Sequence, residues 1–230
     1  MKHIGIVMAA GKGTRTGAET PKQFLEAGGK PILYYSLKAM QDSFIDEIIL
    51  VTGEDYIEYC HREIVEKFSF SKVKRIVPGG AERSDSVYAG LSAVENPKQA
   101  YVYIQDGARP MLSADILKRA REDAEAFGSS VIAVPSKDTV KIVDDNGFVI
   151  STPDRKTVWN VQTPQTFKCD ELLAAYNEFR RAGDITVTDD SQVYELFASL
   201  PAHVTMGDYC NIKITTPEDL ITVENFLQKK

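Results

Sequence analysis

The chain of 230 residues is poor in the residues that build covalent or metal frameworks. Its three cysteines, Cys60, Cys169 and Cys210, are an odd number, far apart and without a Cys-x-x-Cys spacing. This excludes a disulfide scaffold and reads as reduced thiols in a cytoplasmic protein. The three histidines, His3, His61 and His203, are equally scattered, so no zinc-type cluster can be drawn. Positive charge is not in excess either. A formal net charge of -6 at pH 7 gives no support to a nucleic-acid partner, and any basic site must be a local concentration of Lys and Arg suited to small anions. Long apolar runs are missing: the N-terminal one is too short for a signal peptide, and none later could span a bilayer, so a soluble protein without a membrane partner is expected. No internal repeat or low-complexity stretch occurs.

What is present is an alternation of short apolar runs and amphipathic stretches. Runs at 4–7, 48–51, 73–77, 101–104 and 131–134 read as strands, and segments at 31–40, 56–68, 84–94 and 113–127 read as helices between them. Strand and helix taking turns predict an α/β fold, a mostly parallel Rossmann-like sheet with helices on both faces, as one domain over 1–230. After residue 135 the alternation breaks. Asn146-Gly147 between β-branched runs is a strong hairpin signal, and the stretch 136–158 is expected to form a protruding β-hairpin arm and a candidate homodimer contact. Further on, 162–165 reads as a proline-broken turn, 170–182 as a helix, 188–190 as the cap of a helix to 199, and 211–214 as a strand. Thr216-Pro217-Glu218-Asp219 opens a last helix.

Ligands of such sheets bind outside the carboxyl ends of the strands. The first strand empties into Gly11-Lys-Gly-Thr-Arg-Thr-Gly17, where bare backbone N–H groups can reach phosphate oxygens. The spacing is one residue too long for a dinucleotide fingerprint and lacks the Ser or Thr of a P-loop. Lys12, Arg15 and Lys22 surround it with positive charge, which suits phosphoryl or nucleotidyl transfer. Gly79-Gly80 through Ser86 follows another strand and can present backbone donors, or it is a plain turn with Ser84 as a helix cap. Asp106, at a strand terminus facing the proposed phosphates, is a natural Mg²⁺ ligand, or it pairs with Arg109 in a loop. Lys213, on the opposite phase from Ile212 and Ile214, is either solvated or points into the cleft.

Taken in order, Ala9-Ala-Gly-Lys-Gly-Thr-Arg15, Pro21-Lys-Gln-Phe24, Gly79-Gly80 through Ser86, Asp106 through Pro110, Asp138-Thr139, Gln162-Thr-Pro-Gln165, Thr188-Asp-Asp190 and Asn211 through Pro217 span nearly the whole chain. This ordered set resembles the 2-C-methyl-D-erythritol 4-phosphate cytidylyltransferases. The resemblance implies a nucleotidyltransferase fold with CTP over the first loop, a divalent cation such as Mg²⁺, and a homodimer that exchanges its arms. It implies that Arg15 and Lys22 stabilise the transition state and that Arg155 and Lys213 position the methylerythritol phosphate. It places Ala9, Ala10, Gly11, Gly13, Gly80, Ala81, Ser86 and Gly107 at the nucleotide, Asp106 at the metal, and Asp106, Arg109, Thr139 and Thr188 at the substrate. Thr16, Ala81 and Gly107 depart from the family's usual methionine, acidic residue and alanine. A ribitol 5-phosphate cytidylyltransferase shares most of these motifs, and an idle nucleotide-binding module or a dinucleotide-dependent oxidoreductase are rivals of other classes. The retained Arg15, Lys22, Asp106 and Lys213 speak against the module, and the glycine spacing against the oxidoreductase.

Overall fold

A computed structural model describes residues 1–11 and 21–228. Its centre is a seven-stranded sheet built from β1 (Lys2–Ala9), β4 (Glu47–Thr52), β5 (Val73–Pro78), β6 (Ala100–Asp106), β7 (Ser129–Pro135), β10 (Trp159–Lys168) and β11 (Val204–Met206). The order is β11-β7-β10-β6-β1-β4-β5. Only β10 runs antiparallel to its neighbours β6 and β7. The expected α/β fold is therefore present, with one reversed strand near its middle.

The strands are apolar on both faces, as helix-covered parallel strands must be. On one face Val7, Leu50, Tyr103 and Ile132 pack with Leu33 and Leu37 of α1 (Ile32–Gln41) and Ile116 and Leu117 of α4 (Ala114–Phe127). On the other, Ile6, Val51, Val102 and Ile104 pack with Val87 and Leu91 of α3 (Arg83–Ser92) and Leu172 and Tyr176 of α5 (Cys169–Ala182). Gly90 of α3 lies so close to the sheet that a Cβ would meet Ile6 Cγ2 at 2.5 Å. A third cluster joins Ile32, Met111 and Ile214 to Val223 of α7 (Pro217–Leu227), beside the small hairpin of β2 (Glu26–Ala27) and β3 (Lys30–Pro31).

Several local expectations need correction. Residues 162–165 are not a turn but the middle of β10. Pro164, which has no N–H to give, sits where the β7 pairing shifts register between Val161 and Gln165, so the ladder accommodates it. The 211–214 stretch is not a strand: its backbone bonds to a loop instead, with Ile214 N–H donating to the Ala108 carbonyl at 2.9 Å. The segment 56–68 is divided into short helical pieces, including α2 (Ile57–Tyr59) and a π-helical stretch Cys60–Glu66. Helix α3 is capped by Glu82 and not Ser84, in a reciprocal arrangement with Asp85. The helix after Thr188 is α6 (Asp190–Val193), capped by Asp189 and continued by a π-helical turn. The arm contains β8 (Ile142–Val143) and β9 (Val149–Ser151), and Asp144 accepts the Asn146 and Phe148 N–H groups at the turn.

Candidate active site

The chain turns from β1 to one side of the sheet through β4 and β5, then returns to the other side with β6. Neighbouring crossovers in opposite directions leave a crevice at the carboxyl ends of β1 and β6, where Met8 lies opposite Asp106. A cleft of about 610 Å³ opens there. It brings together Ala10, Gly11, Lys22, Gly80, Ala81, Ser86, Asp106 and Lys213 from the sequence-derived set. Arg15 and Gly13 lie outside the described residues.

Each wall has an identifiable fastening. Gln23 is buried and its amide donates to the carbonyls of Ala9 at 2.6 Å and Gly11 at 3.0 Å, which ties the helical turn carrying Lys22 to the end of β1. The glycine turn before α3 is folded around Ser86, whose hydroxyl accepts the Gly80 N–H at 3.1 Å and donates to the Glu82 carbonyl at 3.2 Å. Close approach explains Gly79: a Cβ there would meet Ala10 Cβ at 2.5 Å. Lys213 is carried by a segment stitched to its surroundings. Asn211, fully buried, donates to Gln162 Oε1 and the Thr163 carbonyl, and Arg109 Nη1 donates to the Asn211 carbonyl at 2.7 Å. Asp219, the partner in the α7 capping box, accepts from the N–H groups of Thr215 and Thr216, each at 2.8 Å.

Asp106 is the electrostatic centre. Its Oδ2 lies 2.8 Å from Lys213 Nζ and 3.7 Å from Arg109 Nε, and its Oδ1 lies 3.8 Å from Arg83 Nε. Burial pushes its carboxyl up, but Lys213, Arg83 and Arg109 outweigh that and hold it well below the usual carboxylate range. It is therefore ionised throughout the neutral range. Burial likewise opposes the charge of Arg83, yet Asp190 and Asp106 overcome it and keep the guanidinium protonated. For Arg109, burial wins and its value falls below that of an ordinary arginine.

Other sequence-derived residues lie elsewhere. Ala9 is buried behind the cleft, and Gly107 is a packing position, where a Cβ would come within 2.9 Å of both Leu33 Cδ1 and the Met8 carbonyl. Arg109 braces Asp106 and the Asn211 carbonyl. Arg155, at the foot of the arm, donates to the Lys137 carbonyl at 3.2 Å, and Thr139 is on the arm itself. Thr188 gives both its N–H and its hydroxyl to Gln192 Oε1 at 2.8 and 3.1 Å. None of these last three lines the cleft of the single chain. Sequence reasoning missed Arg83, which lines the cleft, and Gln23, which shapes it. The position of Arg83, just after a glycine turn and at the start of a helix, was the available signal.

Among the described residues no group of three or more His, Cys, Asp or Glu could hold a metal. The donor set nevertheless fits a Mg²⁺-type ion brought in on phosphates, which needs only one or two protein carboxylates. Asp106 is ionised and lines the cleft, and Arg83 Nε stands 3.8 Å from its Oδ1, beyond hydrogen-bond length.

A doubly wound sheet that gathers cations, an ionised carboxylate and a glycine turn at its switch point is the design of a nucleotidyltransferase. The family model IspD, 2-C-methyl-D-erythritol 4-phosphate cytidylyltransferase, matches residues 3–229, and the chain belongs to that family. A 2-C-methyl-D-erythritol 4-phosphate cytidylyltransferase of Lachnospira eligens is 44% identical over 228 residues, covering 98% of this chain and 99% of the relative. One from Caldanaerobacter subterraneus is 41% identical over 230 residues and covers 100% of both. The crystal structure of 4-diphosphocytidyl-2C-methyl-D-erythritol synthase from Anaerococcus prevotii matches with a TM-score of 0.84 at 36% identity, covering 99% of this chain and 98% of the other.

Proposed function

We propose that this chain joins CTP to 2-C-methyl-D-erythritol 4-phosphate, giving 4-diphosphocytidyl-2-C-methyl-D-erythritol and pyrophosphate. The observation that carries the chemistry is the Lys213–Asp106 pair at the β1/β6 crevice, with Lys22, Gly11 and the glycine turn before α3 around the same cleft. The acceptor's phosphate oxygen is anionic at neutral pH, so it needs no general base. It forms a bond to the α-phosphorus while the bond from that phosphorus to the bridging oxygen of pyrophosphate breaks. Repulsion between two anions is the obstacle, and the chain's work is to reduce it.

In this reading Lys22 and Arg15 meet the charge that develops as pyrophosphate leaves. Lys213 and Arg155 hold the acceptor phosphate in line. Ala10, Gly11, Gly13, Gly80, Ala81 and Ser86 seat the nucleotide, with Ala9 and Gly107 supporting those turns, and Thr139, Thr188 and Arg109 serve the acceptor side. A divalent cation held by Asp106 would neutralise triphosphate oxygens as a Lewis acid. Because Arg155 and Thr139 lie away from the cleft of one chain, a homodimer that brings a second arm to the site completes the set. The exposed apolar arm residues Phe148, Val149 and Ile150 supply the surface for that assembly. Three separated thiols, and no helix among the described residues long and apolar enough to cross a membrane, accord with a cytoplasmic enzyme.

A coupled pyrophosphate-release assay over the four nucleoside triphosphates tests this reading. Release is expected with CTP and 2-C-methyl-D-erythritol 4-phosphate. Equal or faster release with ribitol 5-phosphate would transfer the assignment to that acceptor, and no release with either would leave a nucleotide-binding module.

A further inference from the structure

Arg83 reaches from the first turn of α3 to α6 and grips Asp190 with both ends of its fork. Nη1 donates to Oδ1 at 2.9 Å and Nη2 to Oδ2 at 2.7 Å. Asp190 is fully buried. Its Oδ1 also accepts the Tyr176 hydroxyl at 2.6 Å. Its backbone is fixed as well, because Gln165 Oε1 accepts the N–H groups of Asp190 at 3.0 Å and Ser191 at 2.9 Å. A bidentate arginine–carboxylate pair sets orientation as well as energy, and here one partner cannot move. The third nitrogen of Arg83, Nε, is 3.8 Å from Asp106 Oδ1. That is too long for a hydrogen bond but within a small side-chain shift of one. One guanidinium thus stands between two carboxylates and is committed to Asp190.

We infer that Asp190 is a positioning residue for the transfer reaction: by clamping Arg83 it keeps that guanidinium from closing on Asp106, and so leaves Asp106 Oδ1 available to a divalent cation carried on the nucleotide. The inference rests on the functional reading above. Among the described residues Lys213, Arg109 and Arg83 already face Asp106, and Lys213 occupies Oδ2. If Arg83 were released it would take Oδ1, and a carboxylate held from both sides has little capacity left for a metal. Asp190 touches no substrate in this account. It acts through where it keeps Arg83.

Mn²⁺ binding to the full-length protein in the presence of CTP, read from the electron paramagnetic resonance signal of free Mn²⁺, tests the clamp without relying on turnover. Asp190→Asn should weaken Mn²⁺ binding by about tenfold or more, because a released arginine competes directly at the carboxylate. The double variant Arg83→Gln with Asp190→Asn removes the competitor and should return binding to within about threefold of wild type. Tyr176→Phe, which removes a buried hydrogen bond to Asp190 but keeps the fork, should lower the unfolding temperature and leave Mn²⁺ affinity in place. In steady state, the Asp190→Asn loss should be largely recovered by raising Mn²⁺, which a merely destabilised enzyme would not show. Wild-type affinity in Asp190→Asn overturns the clamp, as does a double variant as weak as Asp106→Asn. Because the double variant carries neither charge of the fork, a weak double variant still overturns the clamp even if Asp190→Asn does not fold. Wild-type protein that releases no pyrophosphate defeats the functional reading, and the clamp with it. Wild-type protein that turns over while Asp190→Asn binds Mn²⁺ normally defeats the clamp alone.

Discussion

Lys22 enters the cleft from a single helical turn anchored by Gln23, so its position depends on the end of β1 more than on its own chain neighbours. In its proposed role of meeting charge that develops only in the transition state, Lys22 should influence turnover more than binding. Lys22→Ala is expected to lower kcat roughly a hundredfold, about 3 kcal/mol of barrier, with a small change in KM for CTP. Turnover near the wild-type rate in the pyrophosphate assay would remove Lys22 from this role. Asp106 makes a second prediction. Its folded pKa lies below the ordinary value of 3.8, so the stability it contributes is present above that value and is lost as pH falls through the folded pKa. Urea unfolding should show that Asp106→Asn flattens the acid limb of stability below about pH 4 and leaves the slope between about pH 6 and pH 8 unchanged.

At the scale of elements, the α7 cap does more than start a helix. Asp219 binds the backbone of both Thr215 and Thr216, immediately after the segment that carries Lys213. Asp219→Ala should cost about 1 kcal/mol of stability through the lost cap, measured by chemical unfolding, and should raise KM for the acceptor phosphate more than KM for CTP as Lys213 loses its anchor. The same elements show what could be read from sequence. The α7 cap was legible because Thr216, Pro217 and Asp219 act on one another within a single turn. The parallel strands were legible because burial on both faces leaves uninterrupted runs such as 48–51. Residues 162–165 and 211–214 were misread because their conformation is decided by distant partners. Pro164 sits in a strand only because β6 and β7 flank it, and Asn211 is held by Gln162 and Thr163, far away along the chain. Asp106 and Lys213 could each be singled out as chemistry-bearing residues, but nothing local showed that they pair, and the Arg83–Asp190 fork joins positions 107 residues apart.

For the molecule as a whole, the arm carries the most exposed large apolar side chains among the described residues: Phe148 is 72% and Ile150 66% exposed. Surface of this kind marks an association site. Phe148→Asp combined with Ile150→Asp should shift the protein toward monomer in sedimentation velocity and reduce turnover, with little change in unfolding temperature measured at low protein concentration. A monomeric wild-type protein that is fully active would exclude the shared-site assembly.

The first strand of the chain is an interior one, lying between β4 and β6 in the sheet. β1 pairs along its length with β4 and with β6, whose residues follow roughly 45 and 100 positions later, and the Asp106 that β6 delivers is met by Lys213 later still. Contacts this remote make folding slow, because long loops must close before they are rewarded. During synthesis the crevice cannot exist until nearly the entire chain has left the ribosome. A truncated product therefore has no partial activity to offer, and a nucleotide that binds in the cleft can stabilise only the finished fold.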